Sequence, residues 1–231
     1  AKTPLWTRNF ILLLLANALG FTAVSVIGVV LGLYIIQRFH GNPTQVALIS
    51  SMMTLSTLLF RPFSGYLVDR LGRKWTSVSA FLLSALITIC LLLPVGLTGL
   101  GILRFLIGFP FALFSTGLGT LVSDIIPEER RADGFSASSI VNTLTNQVIT
   151  PILGLTLLGK ENFELVFLVT AVFGVLAAIV ILLMHFEDIR DEQLHFSLQT
   201  LFEKRVLLIA LVMCLIFLGW PGLLTYSPLY A

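Results

Sequence analysis

Seven long apolar stretches restrict the folds that this chain can adopt. They cover residues 10–36, 46–68, 76–95, 100–125, 135–158, 163–184 and 206–231. A helix needs roughly 20 mostly apolar residues to cross the hydrocarbon core of a bilayer, and every stretch reaches that length. Only 11% of the residues are charged and the mean hydropathy is +0.99, whereas about 25% of a soluble domain is charged. The sequence therefore predicts an all-α polytopic membrane protein.

The first stretch is predicted to remain in the membrane as an anchor. Lys2 and Arg8 precede it, and Ala16-Asn17-Ala18 resembles the small-residue cleavage site of a signal peptide. Apolar residues nevertheless continue to position 36, which is too long for the apolar core of a cleaved signal.

Basic residues are distributed unevenly between the predicted loops. Cytoplasmic loops of membrane proteins carry an excess of lysine and arginine. If the N-terminus is cytoplasmic, only Arg38 and Lys160 lie outside, and the basic residues on the inner side are Lys2, Arg8, Arg70, Arg73, Lys74, Arg130, Arg131, Arg190, Lys204 and Arg205. We therefore expect a multi-pass protein of the cell (cytoplasmic or inner) membrane with its N-terminus in the cytoplasm.

The loops divide the chain into three parts. Most loops are short, and residues 185–204 form the only extended hydrophilic stretch. The sequence predicts a six-helix transmembrane lobe at residues 1–186, a cytoplasmic linker at 187–204, and a seventh helix at 205–231 that begins an incomplete second lobe. Because six helices complete a bundle, we expect the chain to be the first part of a longer protein, although a short natural product would show the same pattern.

The turn between the second and third stretches, at residues 65–74, reads G-Y-L-V-D-R-L-G-R-K. The excess of basic residues in cytoplasmic loops would explain its three cations, but not its carboxylate or its two glycines. Glycines permit a tight turn between two helices, and Asp69 can face a cation such as Arg73 or a helix N-terminus. We call this segment the signature loop; its glycine and charged positions are Gly65, Asp69, Arg70, Gly72, Arg73 and Lys74.

The spacing G-x-L-x-D-R-x-G-R-K resembles the loop between helices 2 and 3 of the major facilitator superfamily of secondary transporters. The resemblance implies a first lobe of nested three-helix repeats within a protein of about twelve helices. It also implies that the signature loop is a conformational latch, in which Asp69, Arg73 and Asp124 form a charge relay that locks the outward-open form. A simpler role for Asp124 is that of a helix-end carboxylate beside the two arginines that follow it.

Two arginines lie inside the apolar stretches, where a charge is costly unless it is paired or faces water. Arg104 lies in an L-x-x-x-R-x-x-x-G pattern that resembles the family's helix 4 motif, associated with proton coupling in antiporters, although Ile107 and Pro110 depart from it. Its side chain would either face the aqueous cavity of the transporter or extend to the lipid headgroups on the outer side of the membrane. Arg61 lies in an R-P-F-S-G segment that resembles a variant of bacterial efflux members, and it would face the cavity or extend inward.

The fifth stretch carries a row of polar residues at a spacing of four, which places them on one helix face. The row is Ser138, Asn142, Asn146 and Thr150, flanked by Ser139, Thr143 and Gln147. Hydrogen bonds between helices would satisfy such a face, but four turns with amides at middle depth favour a cavity wall that includes Asn142, Asn146 and Gln147. Pro151 and Gly154 partly match the family's helix 5 antiporter motif, and Pro151 is predicted to kink the helix.

These patterns predict a secondary active transporter that moves a small organic solute by alternating access. The likeness to efflux members implies proton-coupled export by antiport. The incomplete motifs in the fourth and fifth stretches leave a uniporter or symporter open, and a receptor or regulator that retains the fold without transport is a further alternative.

The sequence does not predict an enzyme. All three histidines lie in loops, and the stretches contain no metal-binding histidine pair and no paired carboxylates at membrane depth. Cys90 and Cys214 lie in separate stretches without C-x-x-C spacing, so no disulfide, metal or cofactor is expected. A formal charge of +2 is too small to suggest nucleic acid. The expected partners are the solute, protons and membrane lipid, and the full-length protein is expected to be a monomer.

Overall fold

The computed structural model describes residues 5–158 and 162–185. These residues form α1 (Arg8–Phe39), α2 (Pro43–Leu71), α3 (Arg73–Cys90), α4 (Leu97–Ile125), a 3₁₀ turn (Glu128–Arg130), α5 (Arg131–Leu144), a π-helical turn (Thr145–Ile149), α6 (Thr150–Leu158) and α7 (Phe163–Leu182). The elements from the 3₁₀ turn to α6 form one membrane span, Glu128–Leu158, which we call the fifth span. The predicted linker and the seventh stretch lie outside the described residues.

The helices of the described residues match a six-helix lobe. Five spans are long and apolar enough to cross a membrane, namely α1, α2, α4, the fifth span and α7. The remaining helix, α3, is shorter at 18 residues and begins with Arg73 and Lys74, but it packs against both α4 and α7 within the bundle. The predicted all-α polytopic fold with a six-helix first lobe is confirmed.

Polar caps place the helix starts outside the apolar stretches. Thr7 Oγ1 accepts a hydrogen bond of 3.3 Å from the amide of Phe10, so α1 begins at Arg8. At the start of α2, the side chains of Asn42 and Gln45 each accept from the other's amide, at 2.9 and 3.0 Å. These starts precede the predicted stretches because capping residues are polar and do not follow the apolar pattern.

The core of the lobe lies around α1, which contacts every other α-helix of the described residues. Aromatic side chains fill its centre: the rings of Phe81 and Phe114 stack with their centroids 4.6 Å apart. Small residues let other helices approach, as at Gly174. A Cβ added to Gly174 would lie 3.3 Å from the Cβ of Ala85, so α7 can pack closely on α3.

Two spans are only thinly covered by the rest of the lobe. The span α2 packs mainly on α4, and the fifth span packs mainly on α1. Much of the remaining surface of both is exposed, and it carries many of the polar residues that the sequence analysis identified. The candidate site therefore has two parts. One is the end of the bundle that carries residues 65–74, which we call the inner end after its predicted orientation, and the other is the polar side chains of these spans.

Candidate functional site

The signature loop is a one-residue turn between two helices. Its first seven residues complete α2, and Arg73 and Lys74 begin α3, so that only Gly72 lies outside a helix. Gly72 has φ 93°, a left-handed value that favours glycine. Gly65 was expected to assist the turn, but it lies inside α2, where a Cβ would meet no atom within 4 Å. Gly72 alone therefore makes the turn.

Arg73 connects the inner ends of three helices. Its guanidinium forms an ion pair with Asp124 at the inner end of α4, and its Nη2 lies 3.9 Å from Oδ1 of Asp69 in the last turn of α2. The side chain of Arg73 is only 18% exposed, and its buried Nε has no hydrogen-bond partner in the described residues. The structure thus brings together the three predicted relay residues, with Arg73 between the two carboxylates.

The other two cations of the signature loop have different contacts. Arg70 donates a hydrogen bond of 2.5 Å from Nη1 to the hydroxyl of Tyr66, one turn earlier on α2. Lys74 donates from Nζ to the carbonyls of Leu182 and Met184 at the end of α7, at 3.2 and 2.6 Å. The sequence pattern did not predict these backbone partners of Lys74.

Each arginine after Asp124 pairs with a carboxylate close to it in sequence. Arg130 lies 3.0 Å from Asp133, and Arg131 lies 3.3 Å from Glu128. Asp124 instead pairs with Arg73 from another helix, which is a contact that the relay expected from the family requires.

Polar side chains join α2 to α4 toward the inner half of the bundle. Arg61 donates from Nη1 to Oγ of Ser115 at 3.0 Å, and the hydroxyls of Ser64 and Thr116 lie 2.9 Å apart. Arg61 could be identified from the sequence, but Ser115 could not, because it is only one of several hydroxyl residues inside the apolar stretches. Arg61 remains exposed beyond this contact.

Arg104 is buried inside the lobe. Only 4% of its surface is exposed, and its enclosed Nε and Nη1 atoms have no hydrogen-bond partner in the described residues. One turn further along α4, Gly108 lies directly against Met53 and Ser56 of α2. Apart from Asp124 and Glu164 near their ends, the seven apolar stretches contain only two charged residues, Arg61 and Arg104. Neither Nε nor Nη1 of Arg104 is paired with a carboxylate of the described residues.

The polar row of the fifth span is divided by the π-helical turn. Asn146 accepts a hydrogen bond of 2.6 Å from Ser25 of α1 and donates one of 2.9 Å to the carbonyl of Asn142. The carboxamide oxygen of Asn142 is buried without a partner in the described residues, while Gln147 is exposed. Thr150 is 0% exposed. A π-helical turn has a wider repeat than an α-helix, so residues four apart do not stay on one face across it.

Pro151 and Gly154 explain the shape of the outer half of the fifth span. Pro151 follows the π-helical turn, and a proline disturbs the carbonyl four residues earlier, here that of Gln147. The predicted kink thus takes the form of a π-helical turn. A Cβ on Gly154 would lie 3.2 Å from Cγ1 of Val29, so this glycine lets α6 approach α1.

Two cavities lie near the predicted outer end of the lobe. One of about 490 Å³ lies between α2 and α4 and is lined mostly by apolar side chains, including Ile49 and Phe105. The other, of about 680 Å³, lies between the ends of α1, α3 and α7 and includes Arg38 and Glu164. Neither is lined by the predicted site residues, which face helix contacts or the exposed surface of the lobe.

Six helices, a charged one-residue turn and two arginines within membrane spans define a multi-pass membrane protein with the plan of a half-transporter. The chain matches the Major Facilitator Superfamily over residues 13–231, and it belongs to this family.

The relatives of this chain include an export protein, a transporter and a multidrug resistance protein. The Staphylopine export protein of Staphylococcus aureus is 26% identical over 162 residues, 68% of this chain and 38% of that protein. The Probable 4-methylmuconolactone transporter of Cupriavidus pinatubonensis is 30% identical over 176 residues, 70% of this chain and 41% of that protein. Multidrug resistance protein MdtG of Escherichia coli is 31% identical over 153 residues, 64% of this chain and 37% of that protein. The chain thus spans about two fifths of the length of these relatives.

Solved structures share the fold at low sequence identity. A crystal structure of the peptide transporter POT in complex with sulfate aligns with a TM-score of 0.73 at 19% identity, over 94% of this chain and 46% of that one. A bacterial homologue of the human lysosomal transporter Spinster, in an inward-facing conformation, aligns with a TM-score of 0.66 at 20% identity, over 88% of this chain and 48% of that one.

Proposed function

We propose that the whole protein is a secondary active transporter that exports a small organic solute by alternating access, coupled to protons. In this proposal it is a monomer in the cell membrane with a cytoplasmic N-terminus, and it needs no cofactor and performs no enzymatic reaction. The observation that carries the proposal is the contact of Arg73 with both Asp69 and Asp124. Two of the named relatives are an export protein and a multidrug resistance protein, which supports export.

The contacts of Arg73 are suited to a conformational latch. They join the ends of α2, α3 and α4, and Arg73 is shielded enough from water for its ion pairs to be stronger than exposed ones. Ion pairs that form in one state and break in another stabilise that state selectively. In this proposal Gly72 fixes the geometry of the turn, and Arg70 and Lys74 hold the adjoining helices.

The solute site is proposed to lie along α4, α2 and the fifth span. Arg104, Arg61 and Gln147 would provide charge and hydrogen bonds, and Asn142 and Asn146 would line the path at middle depth. Two donors of the buried Arg104 guanidinium have no partner in the described residues, and in this proposal a solute or the second lobe supplies an acceptor. Pro151 and Gly154 would shape the wall by fixing the π-helical turn and the approach to α1.

Proton coupling would require a titratable carrier outside these stretches. Their interior contains no carboxylate or histidine, so we place the carrier in the remaining part of the protein. The departures of Ile107 and Pro110 from the helix 4 motif favour the alternative of a uniporter or symporter. A receptor or regulator that retains the fold is the remaining alternative.

Flux measurements on the full-length protein in liposomes test these possibilities. Ethidium, staphylopine and 4-methylmuconolactone serve as probes, with and without an imposed pH gradient. We expect the gradient to drive accumulation of at least one probe and a protonophore to abolish it. Downhill flux that ignores the gradient would establish a uniporter, and movement of probe and protons in the same direction would establish a symporter. Absence of flux for all probes would contradict transport of these solute types and favour the regulator.

A further inference from the structure

The inner end of α7 is held by side chains from other helices. The last carbonyls of an α-helix have no partners within it and attract positive charge. The last turn of α7 contains no basic residue of its own. Lys74 of α3 supplies the charge, donating from Nζ to the carbonyls of Leu182 and Met184 at 3.2 and 2.6 Å.

A second contact holds the residue that follows. Asn9, in the first turn of α1, donates from Nδ2 to the carbonyl of His185 at 2.7 Å, and its Oδ1 accepts from the amide of His185 at 3.4 Å. Residues 182–185 are thus fixed by α1 and α3 together. From this point the chain continues toward the predicted linker.

The lysine directly follows the arginine of the latch. Arg73 and Lys74 are consecutive in the first turn of α3, yet Arg73 binds the end of α4 and Lys74 binds the end of α7. A shift of the first turn of α3 would therefore act on both helix ends at once. An exposed lysine that only obeys the charge bias of cytoplasmic loops would not need these two backbone acceptors.

We propose that Lys74 is a positioning residue that fixes the inner end of α7, and so the start of the chain toward the second lobe, relative to the Arg73 latch. The proposal rests on the proposed transport function. Lys74 acts through the carbonyls of Leu182 and Met184, and Asn9 acts in parallel through His185. The anchor lets a change in the latch reach the second lobe through the backbone of residues 182–185.

Hydrogen exchange on the full-length protein in lipid nanodiscs tests the anchor without any solute. In Lys74→Met, which keeps the length of the side chain but no charge, we expect amide exchange at residues 183–185 to become about tenfold faster. Lys74→Arg should keep exchange near that of the parent, because it retains donors for the carbonyls. Arg131→Met, which removes a cation from the exposed pair with Glu128, is the matched control and should leave exchange at residues 183–185 unchanged. Equal exchange in Lys74→Met and the parent would overturn the proposal.

A chemical bridge tests whether the anchor matters for transport. Cys90 and Cys214 are first replaced by alanine, and Asn9→Cys and His185→Cys are joined by a short bifunctional thiol reagent. We expect Lys74→Met to reduce the maximal transport rate several-fold with little change in KM, and the bridge to restore most of it because it fixes the same segment. Lys74→Met that transports normally, or a bridge that restores nothing, would refute the role of the anchor. A parent that transports no probe would count against the proposed function instead, and the exchange experiment would still decide whether Lys74 fixes residues 182–185.

Discussion

The packed helices of the lobe and its two thinly covered spans differ in what their side chains do. In the most apolar 18-residue windows, 50% of residues are buried in α1 and 44% in both α4 and α7, but only 11% in α2 and 17% in the fifth span. The packed helices contribute the aromatic centre of the core, whereas the thinly covered spans contribute Asp69, Arg61 and the asparagines. Substitutions in the first group should therefore affect folding, and those in the second should affect transport.

Arg104 is an exception to this division. It lies on the packed helix α4 and is buried, yet its guanidinium has enclosed donors without partners. A side chain that contributed only to folding would be expected to have its donors satisfied, because an unsatisfied buried polar group is destabilising. This combination makes Arg104 the packed residue for which we expect the clearest effect on transport.

The largest expected effect on stability tests the comparison directly. Phe114→Ala removes a fully buried ring from the core, and we expect it to lower the free energy of unfolding by about 3 kcal/mol or more. Leu58→Ala on α2, where the side chain is 70% exposed, should change it by no more than about 0.5 kcal/mol. Reversible unfolding of the full-length protein in mixed micelles measures both. A large loss in Leu58→Ala would mean that other parts of the protein cover this position of α2, and the comparison would fail there.

The next effect is on transport. We expect Arg104→Ala to reduce the initial transport rate in liposomes at least about 100-fold, because alanine cannot replace a buried guanidinium that binds a counter-charge. Arg104→Lys should recover only part of the rate, since it keeps the charge but not the planar fork of donors. Expression and membrane insertion are measured alongside, so that loss of folded protein is not mistaken for loss of transport. Normal transport by Arg104→Ala would assign Arg104 to packing or to the outer headgroups.

The latch should show an intermediate effect. Asp69→Asn is expected to reduce the transport rate about tenfold while expression and insertion stay near normal, because one ionic contact of Arg73 is lost at a partly exposed site. Asp69→Glu should retain more activity, since it keeps the charge. Asp133→Asn, which breaks the exposed pair with Arg130, is the matched control for loss of a carboxylate at the inner end. Unchanged flux in Asp69→Asn would remove Asp69 from the latch.

Most of the fold followed from the sequence because a bilayer demands apolar segments of a fixed minimum length. The helix starts that follow the caps Thr7 and Asn42 could not be predicted in this way, since capping residues are polar. The relay residues could be identified because side-chain charges appear in a sequence. The partners of Lys74 could not, because they are backbone carbonyls and every residue has one.

The π-helical turn shows a second limit of the sequence pattern. Strict i+4 counting placed Ser138, Asn142, Asn146 and Thr150 on one face, but the turn at Thr145–Ile149 changes the register between them. Pro151 predicted a kink near this position, but not that the helix would contain a π-helical turn. Which of these polar residues are exposed and which contact another helix therefore depended on the structure.

The smallest expected effect concerns this row, measured as thiol labelling in the full-length protein with Cys90 and Cys214 replaced by alanine. Single cysteines at Asn142, Asn146 and Gln147 should react with a water-soluble reagent several-fold faster than a cysteine at Leu153, which packs against the small cluster around Val30. Gln147 should react fastest because it is the exposed member, and Asn146 more slowly because it contacts Ser25.

A transported solute should protect the cysteines at Asn142 and Asn146, and their reactivity should change as the protein alternates between inward-facing and outward-facing states. Labelling equal to that of the Leu153 control at all three positions would mean that these side chains serve only as contacts between helices. The fifth span would then belong with the packed helices despite its low burial, and membership of the superfamily would be unaffected because the family match covers residues 13–231.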